Sequence, residues 1–282
     1  VNTVVAAEEN TNLSGWHLYT RTSGAMTGGY HPVRGFLHSP RNTHTNLSSP
    51  QRGFVAVATG VGNGLFGVLS TGNRNLNSTL APKTSPDVAA TSKGSFAVAA
   101  VDSKGHLIYF DGQGRRTDTT VVVAPETSPS LSLDANDLPW IAAHSSTHQL
   151  VVWSLHRLVT TTVTLRSKSS PQIALDPSGR FSAAVVGVDN AVSVVSDAGT
   201  VATGMTVRQG SDPSIAVLGS GLVKVAGVTT LGVVQIATSQ LSGGYLLELQ
   251  DTTAVKMYSS AVIHAFGAVG YQVAYTHISG AP

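Results

Sequence analysis

A dipeptide of Ser or Asp followed by Pro returns along the chain at a nearly constant interval. Ser39-Pro40, Ser85-Pro86, Ser128-Pro129, Ser170-Pro171 and Asp212-Pro213 set their prolines 46, 43, 42 and 42 residues apart. Self-similarity at this period marks a chain made of one small unit copied in series. After the last four prolines comes a short alternating stretch: Asp87-Val88-Ala89, Ser130-Leu131-Ser132-Leu133, Gln172-Ile173-Ala174-Leu175 and Ser214-Ile215-Ala216-Val217. Alternation over four to six residues reads as a strand. A proline just ahead of it is tolerated, because the first strand residue need not donate to the ladder. A turn such as Asp134-Ala135-Asn136-Asp137 or Asp176-Pro177-Ser178-Gly179 follows. Next is a hairpin with large apolar residues, then small ones, and a polar turn. Its seven copies are Val4–Thr20, Phe54–Leu69, Phe96–Phe110, Trp140–Trp153, Phe181–Val195, Leu222–Ile236 and Val262–Thr276. A weaker fourth strand closes several copies, as in Thr117–Val123 and Thr160–Leu165.

Four short strands per copy of about 42 residues predict an all-β fold, a β-propeller. A lone four-stranded sheet exposes two apolar faces. Radial packing of successive sheets buries both and leaves only short edges. Seven hairpins predict seven blades in one domain spanning 1–282, with six as the next count. The N-terminal copy lacks a first strand and the C-terminal copy, from Ala254, lacks a fourth, so the two ends are expected to meet and close the ring. A membrane barrel would need strands of about 9–11 residues with aromatic girdles, whereas aromatics are 6% here.

Polarity comes from 62 Ser and Thr residues and 29 Gly, with only 11% charged residues. This disfavours disorder, which needs high charge and low hydrophobicity. The net charge is +2, and the one adjacent basic pair is Arg115-Arg116. No basic stripe exists to follow a phosphate backbone, so no nucleic-acid partner is expected. No apolar run reaches the roughly 18 residues that span a bilayer. The absence of Cys excludes disulfides, thiolate metal sites and a Cys nucleophile. The start Val1-Asn2-Thr3 reads as a mature product with its signal peptide removed, or as a trimmed chain, which makes a secreted protein the expectation.

The unit Ser-Ser-Pro-Gln-Ile-Ala-Leu-Asp-Pro-Ser-Gly-Arg-Phe-Ser-Ala-Ala-Val-Val-Gly-Val-Asp-Asn-Ala-Val at 169–192 resembles the repeat of seven-bladed bacterial lectins of the Photorhabdus type. The resemblance runs from Pro40 to about Thr276, at the level of the repeat. It implies a secreted, oligomer-prone protein binding sugars in pockets between neighbouring blades. That family's repeats are rich in Trp, whereas this chain has three: Trp16, Trp140 and Trp153.

Sugars stack their C–H faces on aromatic rings, so the rings are the candidate binding residues. Trp16 and Tyr19, and His106 and Tyr109, are placed at equivalent points on the third strand of two copies, with Trp153 as their match in another; Trp140 opens the hairpin of the latter. Each ring could instead fill the packing between blades. His144 and His148 form an H-x3-H pair across a turn, with His156 as the nearest third metal ligand; a polar turn is the rival reading. No metal or other cofactor is expected. Asp102, Asp134, Asp176, Asp189 and Asp212 sit in or beside turns, where Asp bonds its own backbone. No nucleophile or phosphate-loop motif is present. The favoured function is therefore a carbohydrate-binding propeller whose partner is a glycan or another surface polyol, with a homo-oligomer as the family implies. Two alternatives stay open: a hydrolase or lyase with a site at the axis, and a structural or protein-interaction propeller.

Overall fold

A computed structural model describes residues 4–10, 15–21, 31–32, 46–48, 55–59, 63–69, 72–92, 95–249, 260–266 and 270–274. Side chains are described at 63–65, 75–92, 95–248, 260–265, 270, 271 and 273. The chain divides into two compact units, Val1–Thr120 and Val121–Pro282. All described regular structure but one single-residue 3-10 position is strand, in antiparallel sheets whose strands follow chain order.

In the first unit, sheet I comprises Val4–Asn10, Gly15–Arg21 and His31–Pro32. Sheet II comprises Asn46–Ser48, Val55–Thr59, Gly64–Leu69 and Gly72–Thr79. Sheet III comprises Asp87–Ala90, Phe96–Val101, His106–Phe110 and Arg116–Val122, its last residues crossing the boundary between units. The second unit holds sheet IV (Ser130–Leu133, Pro139–His144, Gln149–Ser154, Arg157–Thr164) and sheet V (Gln172–Leu175, Phe181–Val186, Ala191–Ser196, Gly199–Thr206). Sheet VI is Ser214–Val217, Val223–Val228, Val234–Ser239 and Tyr245–Leu249, and sheet VII is Val262–Phe266 and Gly270–Ala274. Among the described residues these are seven sheets, five of them four-stranded.

Both faces of an inner sheet are buried, as the repeat requires. In sheet V, Phe181, Ala183 and Val185 join a cluster with Ala142, Leu150, Val152 and Leu165 of the sheet IV side. The alternate residues Ala184 and Val186 join Ile215, Val225 and Ala237 of sheet VI. Sheet VI meets sheet VII through Ala226, Val228, Ile236 and Ile263. In the first unit, Leu65, Leu76 and Leu80 pack on Val88, Phe96 and Ile108. The fourth strands are less buried: every residue of Arg157–Thr164 is exposed or partly exposed, four of the eight are Thr, and Val159 and Val163 turn toward the core.

The dipeptide that marks each repeat also ties the repeats together. The Ser128 backbone N–H donates to Ser170 Oγ at 3.0 Å, Ser170 N–H to Asp212 Oδ1 at 3.0 Å, and Asp212 N–H to Ser260 Oγ at 3.0 Å. Two or three residues further along, within the first strands, Ile173 N–H donates to Ser130 Oγ at 3.2 Å and Ile263 N–H to Ser214 Oγ at 3.1 Å. These bonds identify Ser260-Ala261 as a further copy of the dipeptide, with Ala in place of Pro. They also correct the expected role of Val262–Thr276. The strands Val262–Phe266 and Gly270–Ala274 are the first and second of their sheet, not a second-and-third hairpin. The proline mark is missing there, and an apolar antiparallel pair reads alike in either role.

Small residues sit where sheets approach closely. A Cβ on Gly227 would lie 2.6 Å from Met205 Sδ and 2.7 Å from Val207 Cγ1, inside van der Waals contact. Gly227→Ala is expected to destabilise the fold by about 1–3 kcal/mol through overpacking. The check is a fall in the urea midpoint at unchanged slope, with the exposed Gly221→Asn as a control for its left-handed φ of 84°.

Candidate functional site

The second strand of sheet IV carries Trp140 between two turns at one end of the sheet. The first turn, Asp134–Leu138, is closed by Asp134: its Oδ1 accepts the N–H groups of Asn136 at 2.8 Å and Leu138 at 2.9 Å. The other is the short Leu155-His156 link between Ser154 and Arg157. Both lie at the same end because strand directions alternate. Trp140 pairs with Ser132 on one side and Ser154 on the other. Its indole is partly exposed and stacks on Phe181 of sheet V, with centroids 5.7 Å apart and planes at 29°. A cleft of about 340 Å³ opens beside it, lined by Asp134, Leu138, Trp140, Ser154, Leu155, His156 and Arg157.

Sheet V borders this end of the seam. Arg157 Nη1 reaches Asp197 Oδ1 of sheet V's last turn at 2.9 Å. The first turn of sheet V lies against Asp134, since a Cβ on Gly179 would sit 3.8 Å from Asp134 Cβ. Asp176 holds that turn as Asp134 holds its own. Burial pushes the Asp176 carboxyl upward, but bonds from Ser178 and Arg180 outweigh it and hold it at about 2. The cleft thus offers a flat apolar wall with a guanidinium, an imidazole, a hydroxyl and the turn-closing Asp134 around it.

The other candidate rings are placed differently. Tyr109 is 4% exposed and belongs to the core, so it offers no stacking face. Trp153 pairs with Ile141, whereas Trp140 pairs with Ser154, so the two indoles lie on opposite faces of sheet IV. The expected equivalence of Trp153 with Tyr109 is also corrected. Val98 pairs with Phe110 as Ile141 pairs with Trp153, so Phe110 is the true counterpart. Tyr109 lies one residue before that position, and one residue changes the face. His106 opens a strand with its imidazole 42% exposed and 3.9 Å from Asp102 Oδ1. Trp16 pairs with Glu9 and Tyr19 with Ala6 along the backbone of sheet I; their side chains lie outside the described residues. Arg157 and Asp134 line the cleft without having been singled out as ligand contacts. Arg157 follows a turn between third and fourth strands that differs in every copy, and Asp134 closes its turn as Asp176 does in the next copy, so neither position marks a ligand contact.

His144 and His148 do come together: His144 Nε2 lies 3.1 Å from His148 Nδ1. His144 Nδ1 is bonded to the Ser169 carbonyl at 2.9 Å, so both its nitrogens are engaged. His156 stands at the opposite end of the sheet from His144. Among the described residues, no group of three His, Cys, Asp or Glu could hold a metal ion.

The acids follow the turn reading, with one exception. Asp102 Oδ1 accepts Lys104 N–H at 3.0 Å and His106 N–H at 2.8 Å, and Asp189 Oδ1 accepts Ala191 N–H at 3.0 Å. Asp212 instead accepts the Ser170 N–H of the preceding repeat. Burial pushes its carboxyl up to about 6, against the pull of Ser170 N–H and of the Arg166 guanidinium, whose Nη2 is 3.9 Å away.

No protein-family model and no curated protein matches the sequence. Solved structures do. The chain is similar to selenomethionine-substituted virginiamycin B lyase from Staphylococcus aureus, at 12% identity over 83% of this chain and 78% of that one, with a TM-score of 0.55. It is similar to the SapL1 lectin in complex with alpha methyl fucoside, at 11% identity over 84% of this chain and 96% of that one, also with a TM-score of 0.55. The beta-propeller domain of Myceliophteria thermophila Cps50 (Swd1) matches at 11% identity over 94% and 91%, with a TM-score of 0.53. The fold is a β-propeller. The likeness is to propellers at large and does not single out the Photorhabdus type.

A carboxyl whose value is raised by folding favours the folded state at low pH. Its contribution is complete below about 3.8 and is lost as pH rises through about 6. Asp212→Ser restores the residue that the other repeats carry. Relative to the parent chain, this variant is expected to gain on the order of 2 kcal/mol between pH 4 and pH 7. Urea unfolding of both proteins across that range is the measurement, and a constant difference would remove Asp212 as the source.

Proposed function

We propose that this propeller is a secreted carbohydrate-binding protein of the lectin type, and that it takes a sugar ring in the cleft beside Trp140. The carrying observation is the cleft itself, where a partly exposed indole, backed by Phe181, stands within one 340 Å³ opening with Arg157, His156 and Ser154. A pyranose presents an apolar C–H face and a rim of hydroxyls. The indole covers the first, while the guanidinium, imidazole and hydroxyl bond the second. The Arg157–Asp197 pair is 50% and 36% exposed on its two sides, and such pairs contribute little, so a hydroxyl can compete for either partner. SapL1, a lectin on the same fold, binds a fucoside, which is consistent with this use of a propeller. A single shallow cleft holds a sugar weakly, and strength at a glycosylated surface would come from several copies acting together.

The hydrolase or lyase alternative needs an acid and a base converging on one opening. Of the perturbed groups described away from turns, His144, Arg166 and Asp212 are engaged in bonds between sheets, and Arg208 and Tyr245 are shifted by burial. They explain themselves as structure.

On an array of neutral and acidic saccharides, the protein is expected to bind at least one class. Trp140→Phe and Arg157→Ala should each weaken that binding about tenfold or more, because each removes one of the two contact types, while the urea midpoint stays close to that of the parent. Loss of binding by neither variant would move the site elsewhere, and the absence of any bound saccharide would overturn the reading.

A further inference from the structure

Two neighbouring seams meet the same requirement with different chemistry. In each, the carbonyl ahead of the repeated dipeptide is buried and takes a bond from a side chain reaching across. Between sheets V and VI the donor is Arg166. Its Nη2 donates to the Ser211 carbonyl at 2.8 Å, and its Nη1 to the Arg208 carbonyl at 3.2 Å and to Asn190 Oδ1 at 2.9 Å. Between sheets IV and V the equivalent carbonyl is that of Ser169, and the donor is His144. His144 is 0% exposed and stands where sheets V and VI have Val186 and Val228. His148 stands where sheet V has Asn190, in the same left-handed conformation, with φ of 61° and 66°.

The geometry assigns the protons. A carbonyl only accepts, so His144 Nδ1 carries the hydrogen. A neutral imidazole has one N–H, so His144 Nε2 must accept, and His148 Nδ1–H donates to it across 3.1 Å. This arrangement exists only for a neutral His144. A proton on Nε2 places a charge where water does not reach, and once His148 is protonated as well two N–H groups face each other across 3.1 Å.

We propose that the His144–His148 pair is an acid-released latch on the seam that forms the Trp140 cleft. Trp140, Ala142 and His144 alternate along one strand and so share one face, the face packed on sheet V. The cleft and the latch are therefore the two ends of one seam. Protonation of both rings breaks the bond between them and lets sheet IV ease away from sheet V, and Trp140 shifts on Phe181 with it. Burial holds the His144 imidazole below its ordinary value against the Ser169 bond, with the nearby His148 charge adding to the fall. The stabilisation is thus present above about pH 6.5 and is lost as pH drops below it. The other charged groups packed nearby are Arg166 and Lys168 on the segment leading into sheet V, and Glu126 on the segment leading into sheet IV. Glu126 is paired with Lys168 at 2.9 Å, and Arg166 faces Asp212 at 3.9 Å. The adjoining seam held by Arg166 is not loosened by acid: the guanidinium keeps its charge, and the raised Asp212 carboxyl adds stability as pH falls.

Hydrogen exchange of the intact protein at pH 7.5 and pH 5.0, corrected for intrinsic rates, tests the latch. Peptides covering 140–148 and 165–175 are expected to lose about tenfold or more of their protection at the lower pH, while those covering 186–192 and 207–215 keep theirs. His148→Asn, which copies the neighbouring turn, and His144→Gln, which keeps a donor for Ser169, should each abolish the loss. Equal protection at both pH values in the parent, or an undiminished loss in His148→Asn, would overturn the proposal. The consequence for a ligand rests on the carbohydrate reading, so binding to a saccharide array at the same two pH values is the second arm. Weaker binding at pH 5.0 in the parent but not in His148→Asn supports coupling, and equal binding overturns it. Loosening with no saccharide bound at either pH supports the latch and overturns the carbohydrate reading alone.

Discussion

The bond on which the rest depends joins the backbone N–H of the residue before proline to the side chain of the same residue one repeat later. Ser128 to Ser170, Ser170 to Asp212 and Asp212 to Ser260 form one chain of such bonds, each at 3.0 Å. The following proline explains why this N–H needs a partner from elsewhere. Proline has no N–H of its own and keeps the preceding residue out of the helical region. That residue therefore lies extended, ahead of its own sheet's ladder, with its N–H aimed at the next copy. An unmet N–H there costs about 1–3 kcal/mol. The dipeptide is thus a strand start and an inter-sheet tie at once, which accounts for its regular return.

With the innermost strands tied, apolar faces close over one another. Sheet V shows the logic residue by residue: Phe181, Ala183 and Val185 face one neighbour, Ala184 and Val186 the other. Alternation of this kind is normally a sign of one wet face. Here both parities are apolar on the second strand, while exposure alternates along the outer, Thr-rich strand Arg157–Thr164. Gly227 shows how little room remains, since even a methyl group would overlap Met205 and Val207.

The period, the strand order and the turn-closing role of Asp102, Asp134, Asp176 and Asp189 were legible in the sequence, because each follows from local chemistry. Three things were not. The dipeptide Ser260-Ala261 lacks the proline that marked the other copies, so the last strand pair was given the wrong role. The face of each aromatic depends on strand register, and a single residue separates Tyr109 from Phe110, the true counterpart of Trp153. The cleft itself draws Asp134 and Arg157 from separate turns, which no spacing in a single repeat connects.

One seam position shows how a repeat can diversify without losing its fold. The second residue of the second strand is Trp140 in sheet IV, Ser182 in sheet V and Lys224 in sheet VI. Trp140 lies on Phe181. Lys224 lies 4.3 Å from the centre of the Tyr271 ring and donates to Thr238 Oγ1 at 2.7 Å, with Glu248 at 3.7 Å. Phe181 and Tyr271 each pair with the fourth residue of their sheet's tied first strand, Leu175 and Ala265. The second-strand residue can therefore change from aromatic to hydroxyl to cation while the ties and the core hold the sheets. The Lys224 seam satisfies its polar groups internally and has an ammonium only 8% exposed, so it presents little to a ligand. The Trp140 seam leaves its ring edge and guanidinium partly open. The same tolerance places His144 at a position that is valine elsewhere, which puts a titratable group at one end of the seam whose other end forms the cleft.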